Sequence, residues 1–501
     1  MTVVDYLIGS AKAYPDKMAF SDEEKQITYA QLLDKVQRIG TALIQNVQKV
    51  NEPIVVLIDR NVESICAFLG VAMSRNFYVP IDVAQSVQRI HTILGQMQPQ
   101  AIISIGNIPD ALRSSVSVPV YEYAQLLKTP ADPEAIEAVR SRCLDTDPLY
   151  AMCTSGSTGV PKGVLISHRS VLDFIPVFCE TFAFDENEVF GNQAPFDFDV
   201  SVKDIYSALY CGASVYIIPK VCFAMPKLLV KTLDEQNITT IIWAVSALCI
   251  AAGVNAFKSL VPRHLKKILF SGEVMPIKML NIWRKYFPDA LFVNVYGPTE
   301  ITCNCLYYII DREFENTEKL PLGVPFRNEG VLYLNEKNEE IKVGETGEIC
   351  VVGTCLALGY YRDPERTAAA FVQNPLNDRY PEMMYRTGDL AELAEDGEYY
   401  FAARKDFQIK HMGHRIELEE IEKYINAVDS VSRACCLFDA ERNKIVGFYV
   451  GDVDKTAIVN ALKEVLPKYM IPNILIQSEQ LPINKNGKID RQKLREIYYA
   501  R

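Results

Sequence analysis

The residues best suited to chemistry run Thr154-Ser155-Gly156-Ser157-Thr158-Gly159-Val160-Pro161-Lys162-Gly163. Small residues let backbone N–H groups close around a phosphate, four hydroxyls add donors, and Lys162 supplies positive charge. The bland alternative is a mobile Gly/Ser-rich surface turn, against which the Pro-Lys-Gly ending and the run of hydroxyls argue. The stretch is not a Walker loop, because Lys162 precedes Gly163 instead of following a glycine and leading into Ser or Thr. No GxGxxG pattern here points to a dinucleotide. Leu149–Met152 just before it reads as a strand end, where α/β proteins place ligands.

The elements that must position this loop are legible as short apolar runs alternating with helical stretches. Pro53–Ile58, Phe77–Pro80, Ala101–Ile105, Ala213–Ile218, Thr239–Trp243 and Leu291–Val295 read as buried strands, with a helix around Glu63–Met73. Continuous apolar runs separated by helices predict largely parallel sheets covered on both faces, so the fold class is α/β. After about residue 320 the texture turns antiparallel, with strands at Val331–Leu334, Glu348–Val352 and Glu398–Phe401 among Gly, Asn and Asp turns. A small α+β unit closes the chain: helices at Glu417–Ala427 and Thr456–Leu466, strands at Ser432–Phe438 and Lys444–Val450. We place the boundary near Arg404-Lys405-Asp406, giving a large domain over residues 1–404 and a small one over 405–501.

The 501 residues carry 52 Lys+Arg against 63 Asp+Glu, a formal net charge of −11, so a long polyanion such as nucleic acid is not an expected partner. Thirteen scattered cysteines, five histidines and no CxxC spacing argue against a metal cage and fit a reducing cytosol. The N-terminus lacks the pattern of a signal peptide, and no apolar run reaches bilayer-spanning length. A cytoplasmic protein without membrane insertion is the expectation.

The loop resembles the signature of the adenylate-forming superfamily, which includes acyl-CoA synthetases, luciferases and nonribosomal peptide synthetase adenylation domains. The resemblance continues in order along essentially the whole chain. Asn294-Val295-Tyr296-Gly297-Pro298-Thr299-Glu300 is similar to the family's nucleotide and metal segment, and Tyr385-Arg386-Thr387-Gly388-Asp389 to its ribose segment. Arg404–Lys410 and Gly413–Glu417 are similar to the hinge region, and Pro482–Asp490 to the C-terminal catalytic loop. The implied fold is a large domain of mixed, largely parallel sheets with a small β-barrel-like subdomain, followed by a small mobile C-terminal domain.

The implied chemistry is attack of a carboxylate on the α-phosphorus of ATP with loss of pyrophosphate, in which cations and aimed N–H dipoles do most of the work. The resemblance assigns Thr154, Ser155, Gly156, Ser157, Thr158, Gly159 and Lys162 to the phosphates, with Asn294, Tyr296 and Gly297 about the nucleotide. It puts Thr299 at the α-phosphate and gives Glu300 a catalytic role and a share in holding Mg²⁺. Asp389 is the implied acceptor for the ribose hydroxyls, Arg404 reaches ribose and phosphates, and Tyr296 offers a face to adenine. Lys488 is the implied catalytic lysine, delivered from the small domain to the carboxylate and α-phosphate, and Asp406 the hinge. Taken blandly, Tyr296 is a core aromatic, Glu300 a solvated helix start, Asp389 a turn residue and Arg404 a surface cation.

Phe196–Asp204 bears on which acid is activated. In amino-acid-activating members an aspartate here pairs with the substrate ammonium, and Asp199 falls at that place. A buried carboxylate needs a charged partner; alternatively, Asp199 caps a helix starting at Ser201. The implied pocket is Asp199, Val200, Lys203, Leu248, Leu269, Ser271, Gly272, Val295, Cys303 and Asn304. An apolar residue is expected where Lys203 stands, and a lysine more often snorkels outward; turned inward, it would favour an acidic or polar side chain. Asn192–Phe196, Gly272–Pro276 and Asp406–Lys410 resemble the D-alanine–carrier protein ligase branch, as does the end of the chain soon after Lys488 with no carrier domain. The customary Pro after Trp243 is missing, and the register of Cys303 against that branch's pocket cysteine is open.

The resemblance therefore implies an ATP- and Mg²⁺-dependent enzyme that activates an amino acid and passes it to the phosphopantetheine thiol of a carrier protein. An acyl- or aryl-CoA ligase is the alternative, opposed by Asp199. A catalytically idle scaffold is opposed by the intact Lys162, Glu300, Asp389 and Lys488.

Overall fold

The computed structural model describes residues 1–155, 161–254, 256–483 and 489–500. The chain divides into two compact units: Met1–Asp82 with Gln98–Met152 and Gly163–Lys405, and Val83–Met97 with Cys153–Lys162 and Asp406–Arg501.

In the first unit a nine-stranded sheet runs in the order 324–325, 306–309, 291–296, 267–271, 240–244, 189–192, 214–217, 18–21 and 26–28. Its six central strands, 291–296 through 18–21, pair parallel. A seven-stranded sheet has the order 359–360, 162–167, 148–154, 77–82, 53–58, 101–104 and 120–122. The α/β reading of the apolar runs holds: every strand read from them is present, within a residue or two at the ends. Pro53–Ile58 is buried along its whole length, which is why it carries no polar alternation.

Alternation does appear across the faces of the nine-stranded sheet. Ile242, Leu269, Val293 and Val295 join the main apolar core, whereas Ile241, Trp243, Ile268, Phe270 and Phe292 join a second core with Trp283 and Phe257. Successive strand side chains point to opposite faces, so each strand feeds both cores. The antiparallel module is a five-stranded sheet of strands 329–334, 346–353, 371–373, 383–393 and 399–404, the long fourth strand pairing with three others.

The second unit carries the hairpin Gln408–His411 and His414–Glu417, turned by Met412 and Gly413 at φ 53° and 80°. Two successive positive φ values give the turn whose twist matches the flanking strands. Strands 431–439, 444–451 and 474–477 form a sheet with helices Leu418–Asn426, Lys455–Val465 and Arg491–Tyr499. Leu418, Ile421 and Ile425 bury one helical face against this sheet, at the i, i+3, i+7 spacing legible in the sequence. Arg89 and Glu420 form a buried ion pair within the unit at 2.5 Å. Among the described residues no helix is long and apolar enough to cross a membrane.

Candidate functional site

The segment from Asn294 to Cys305 holds the site of the first unit together. It leaves the strand Leu291–Tyr296, makes a short turn at Thr299–Ile301 and folds back, so that the Cys305 N–H donates to the Tyr296 carbonyl at 2.8 Å. Thr302 and Cys303 adopt φ of 58° and 80°. Two consecutive non-glycine residues in the left-handed region are strained, a feature that collects at functional sites. Gly297 is required by the return: a Cβ there would lie 2.5 Å from Asn304 Cα and 2.6 Å from the Cys303 carbonyl, both backbone atoms.

At one end of this segment lies a cluster around Asp389, whose side chain is 2% exposed. Its Oδ2 accepts from the Tyr296 hydroxyl at 2.6 Å, its Oδ1 from Arg404 Nη1 at 2.6 Å, and its backbone N–H donates to Thr387 Oγ1 at 3.0 Å. Each carboxylate oxygen keeps a further lone pair for a ligand hydroxyl. Tyr296, Asp389 and Arg404, far apart in sequence, are thus brought together; burial, with Asp389 beside it, pushes the Tyr296 phenol well above its ordinary range. Glu300 is fully buried, with Oε1 accepting from the Tyr360 hydroxyl at 2.8 Å. It is therefore not the solvated helix start allowed by the bland reading. Thr299 is buried beside it, and Asn294 Nδ2 donates to the Pro321 carbonyl at 3.0 Å.

At the other end lies a cluster of buried polar side chains inside the apolar core. Asp199 is 6% exposed and precedes the helix Val200–Cys211, yet its side chain makes no cap hydrogen bond, so capping does not explain it. The Cys303 thiol donates to the Asp199 carbonyl at 3.3 Å, which fixes Cys303 against the aspartate. Lys203, 1% exposed, does not snorkel: its Nζ donates to Asn304 Oδ1 at 2.7 Å. Burial pulls this ammonium below its ordinary range against the opposing pull of Cys303, Asp199 and Asp204. The buried Tyr150 hydroxyl has no geometrically sound hydrogen-bond partner among the described residues, and Cys303 and Asp199 are near enough to perturb it.

The remaining residues that the resemblance assigns to the pocket are divided. Val200, Leu269 and Val295 share the core with Cys303, and Ser271 stands at the end of its strand, paired with Ala244. Gly272 follows at φ 97°, a conformation glycine takes without strain. Leu248, also assigned to the pocket, stands apart from these residues. It packs in the second core, and its carbonyl accepts from Trp283 Nε1 at 3.0 Å, because its helix carries it to the other face of the sheet.

Several participants were not read from sequence. Glu348 accepts from the Gly388 N–H, Arg386 and Lys405, bracing the turn that carries Asp389. Arg60 donates to the Gln193 carbonyl and to Asn192, whose Nδ2 donates to Asp204 at 2.8 Å. Burial pushes the Asp204 carboxyl up to about 7. The usable signal was a charged residue inside an otherwise apolar stretch, as with Asp204 in Val200–Cys211.

In the second unit, Lys162 is buried and acts electrostatically on Glu417, whose carboxyl is raised by burial and opposed by Arg415 and Lys162. Ser155 Oγ donates to the Arg415 carbonyl at 2.7 Å, and the buried Thr154 hydroxyl has no partner among the described residues. Exposed Asp406 accepts from the Gln408 N–H at 3.2 Å. Gly156, Ser157, Thr158, Gly159 and Lys488 lie outside the described residues. Among the described residues no group of three or more His, Cys, Asp or Glu side chains forms a metal cage.

The chain is 31% identical over 503 residues to a D-alanine–D-alanyl carrier protein ligase of Lacticaseibacillus rhamnosus, covering 97% of this chain and 96% of that protein. It is 29% identical to tyrocidine synthase 1 of Brevibacillus parabrevis over 97% of its own length, but spans only 44% of that protein. The Vibrio cholerae adenylation domain AlmE, solved with glycyl-adenosine-5′-phosphate, superposes with a TM-score of 0.86 at 21% identity, covering 100% of this chain and 98% of that one, a likeness of fold. Residues 9–361 match the family described as AMP-binding enzyme, so the chain belongs to that family of adenylate-forming ligases, enzymes that use ATP.

Proposed function

We propose that this protein activates an amino acid as its aminoacyl-AMP, releasing pyrophosphate, and then transfers the aminoacyl group to the phosphopantetheine thiol of a carrier protein. The observation that carries the reading is the folded-back segment 294–305. One end contacts the buried carboxylate of Asp389 through Tyr296, and the other holds Cys303 and Asn304 against Asp199 and Lys203. A nucleotide and a cationic amine on one ligand would meet two buried carboxylates at that separation along the chain.

In this reading Asp389 and Arg404 hold the ribose, Tyr296 borders the base, and Asp199 pairs with the α-ammonium. Lys162 and the loop Thr154–Gly159 neutralise the phosphates, Thr299 contacts the α-phosphate, and Lys488 draws the carboxylate and the α-phosphate together. Mg²⁺ takes one or two carboxylates plus phosphate oxygens, not a full protein cage. A single buried carboxylate, Glu300, suits that demand, and the ion would supply charge neutralisation at the leaving pyrophosphate. A buried anion such as Asp199 has no use for a fatty or aryl acid, which brings no cation to offset its desolvation.

ATP–pyrophosphate exchange over D- and L-amino acids, with fatty and aryl acids alongside, tests the proposal. Exchange dependent on an amino acid is the expected result; exchange with only fatty or aryl acids, or with none, overturns it.

A further inference from the structure

The pocket contains one more charge than an amino group requires. Lys203 lies four residues beyond Asp199 on the helix Val200–Cys211, one turn or ~6 Å along the axis. Its ammonium is buried and its hydrogen-bond partner is a neutral amide oxygen, that of Asn304 at 2.7 Å. A buried charge is tolerated when it is paired and becomes costly once its partner is taken away.

The two carboxylates near Lys203 have different commitments. Asp204 is its neighbour in sequence, and consecutive helical residues do not face each other. The Asp204 carboxylate accepts from Asn192, which also accepts from the half-buried Arg60, so Asp204 is shared between Lys203 and Arg60. Burial, which raises its carboxyl to about 7, leaves it a partial counter-charge near neutral pH. Of the two carboxylates, Asp199 acts the more strongly on Lys203. When an α-ammonium engages Asp199, Lys203 keeps only the shared, half-protonated Asp204 as counter-charge unless the ligand brings another.

Asn304 completes the picture. Accepting from Lys203 fixes its Oδ1 and leaves its NH₂ group as a donor. An ammonium and an amide NH₂ side by side are both donors, which suits a carboxylate and leaves a hydrocarbon side chain unmatched. The unpartnered Tyr150 hydroxyl, buried in the same pocket, adds a third donor.

We propose that the amino acid activated here carries a carboxylate side chain, bound by Lys203 and Asn304 while Asp199 takes its α-ammonium. The proposal rests on the amino-acid-activating reading above and names its substrate class.

The test is pyrophosphate exchange by the full chain with aspartate, glutamate, asparagine, glutamine and alanine in both enantiomers. The expected result is that kcat/KM for an acidic amino acid exceeds that for its own amide by at least tenfold, and that Lys203→Met reduces this ratio to near one or inverts it. Lys203→Arg, which keeps the charge, should retain the preference, and it decides the matter with the wild-type ratio if Lys203→Met does not fold. An amide or alanine used as well as the acids overturns the proposal while leaving the amino-acid reading intact, as does an unchanged ratio in folded Lys203→Met. Absence of exchange with every amino acid overturns the earlier reading and this one with it.

Discussion

Replacing Asp389 with Asn perturbs the nucleotide site with almost no change of shape. The wild-type carboxylate accepts from Tyr296 at 2.6 Å and from Arg404 at 2.6 Å, with side chains of Asp389 and Arg404 only 2% and 10% exposed. Removing one partner of a buried ion pair costs about 3–5 kcal/mol, because the other charge stays behind. Arg404 retains some solvent and also donates to the Thr387 carbonyl, so about 3 kcal/mol of folding stability is the figure expected here. Binding should suffer separately. A hydrogen bond to a charged group contributes about 1.5–3 kcal/mol, so losing the charged acceptor for two ribose hydroxyls should weaken AMP by on the order of a hundredfold. Tyr296→Phe removes one neutral donor and should cost about 1 kcal/mol of stability. Urea denaturation gives the first quantity and calorimetric titration with AMP the second. Folded Asp389→Asn that binds AMP as tightly as wild type would refute the reasoning, since the carboxylate would then have no part in holding the nucleotide.

Three further outcomes are expected. Lys488→Ala should largely abolish pyrophosphate exchange but spare transfer from preformed aminoacyl-adenylate, as measured by thioester formation on a carrier protein; equal loss of both half-reactions would contradict its role. Asp406→Pro should keep adenylate formation and lose thioester formation, and retained loading of the carrier would exclude Asp406 as a hinge. Asp204 has its carboxyl raised from 3.8 to about 7 by burial, so its contribution to stability is fully present below about pH 4 and is lost as pH rises through 7. Asp204→Asn should therefore flatten the fall in unfolding free energy between pH 4 and 8, by roughly 4 kcal/mol at most. Denaturant titrations at pH 5 and 8 that show the same difference in wild type and variant would contradict this.

The strands and the amphipathic helices were legible because burial leaves a local imprint: an unbroken apolar run in Pro53–Ile58, a helical stripe in Leu418–Asn426. Motif residues were legible too, since Tyr296, Glu300 and Asp389 stand in compact phrases. Orientation across the fold was harder. The resemblance puts Leu248 in the pocket, yet its side chain packs with the second core, since one position along a helix decides which sheet face a side chain meets. Lys203 was expected to reach solvent, yet its helix is buried around its whole circumference, so no outward route exists for a four-carbon stem. Glu348 went unseen because its partners Gly388, Arg386 and Lys405 lie 38 to 57 residues away, and nothing in its own neighbourhood marks it.

The central claim is that Asp389 and Asp199 hold opposite ends of one ligand. A crystal structure with a non-hydrolysable aminoacyl-adenylate analogue tests it most directly. The expected density places both ribose hydroxyls on the Asp389 carboxylate, the base beside Tyr296 and the α-ammonium on Asp199. A ligand seated with its ribose away from Asp389, or its ammonium away from Asp199, would contradict the account.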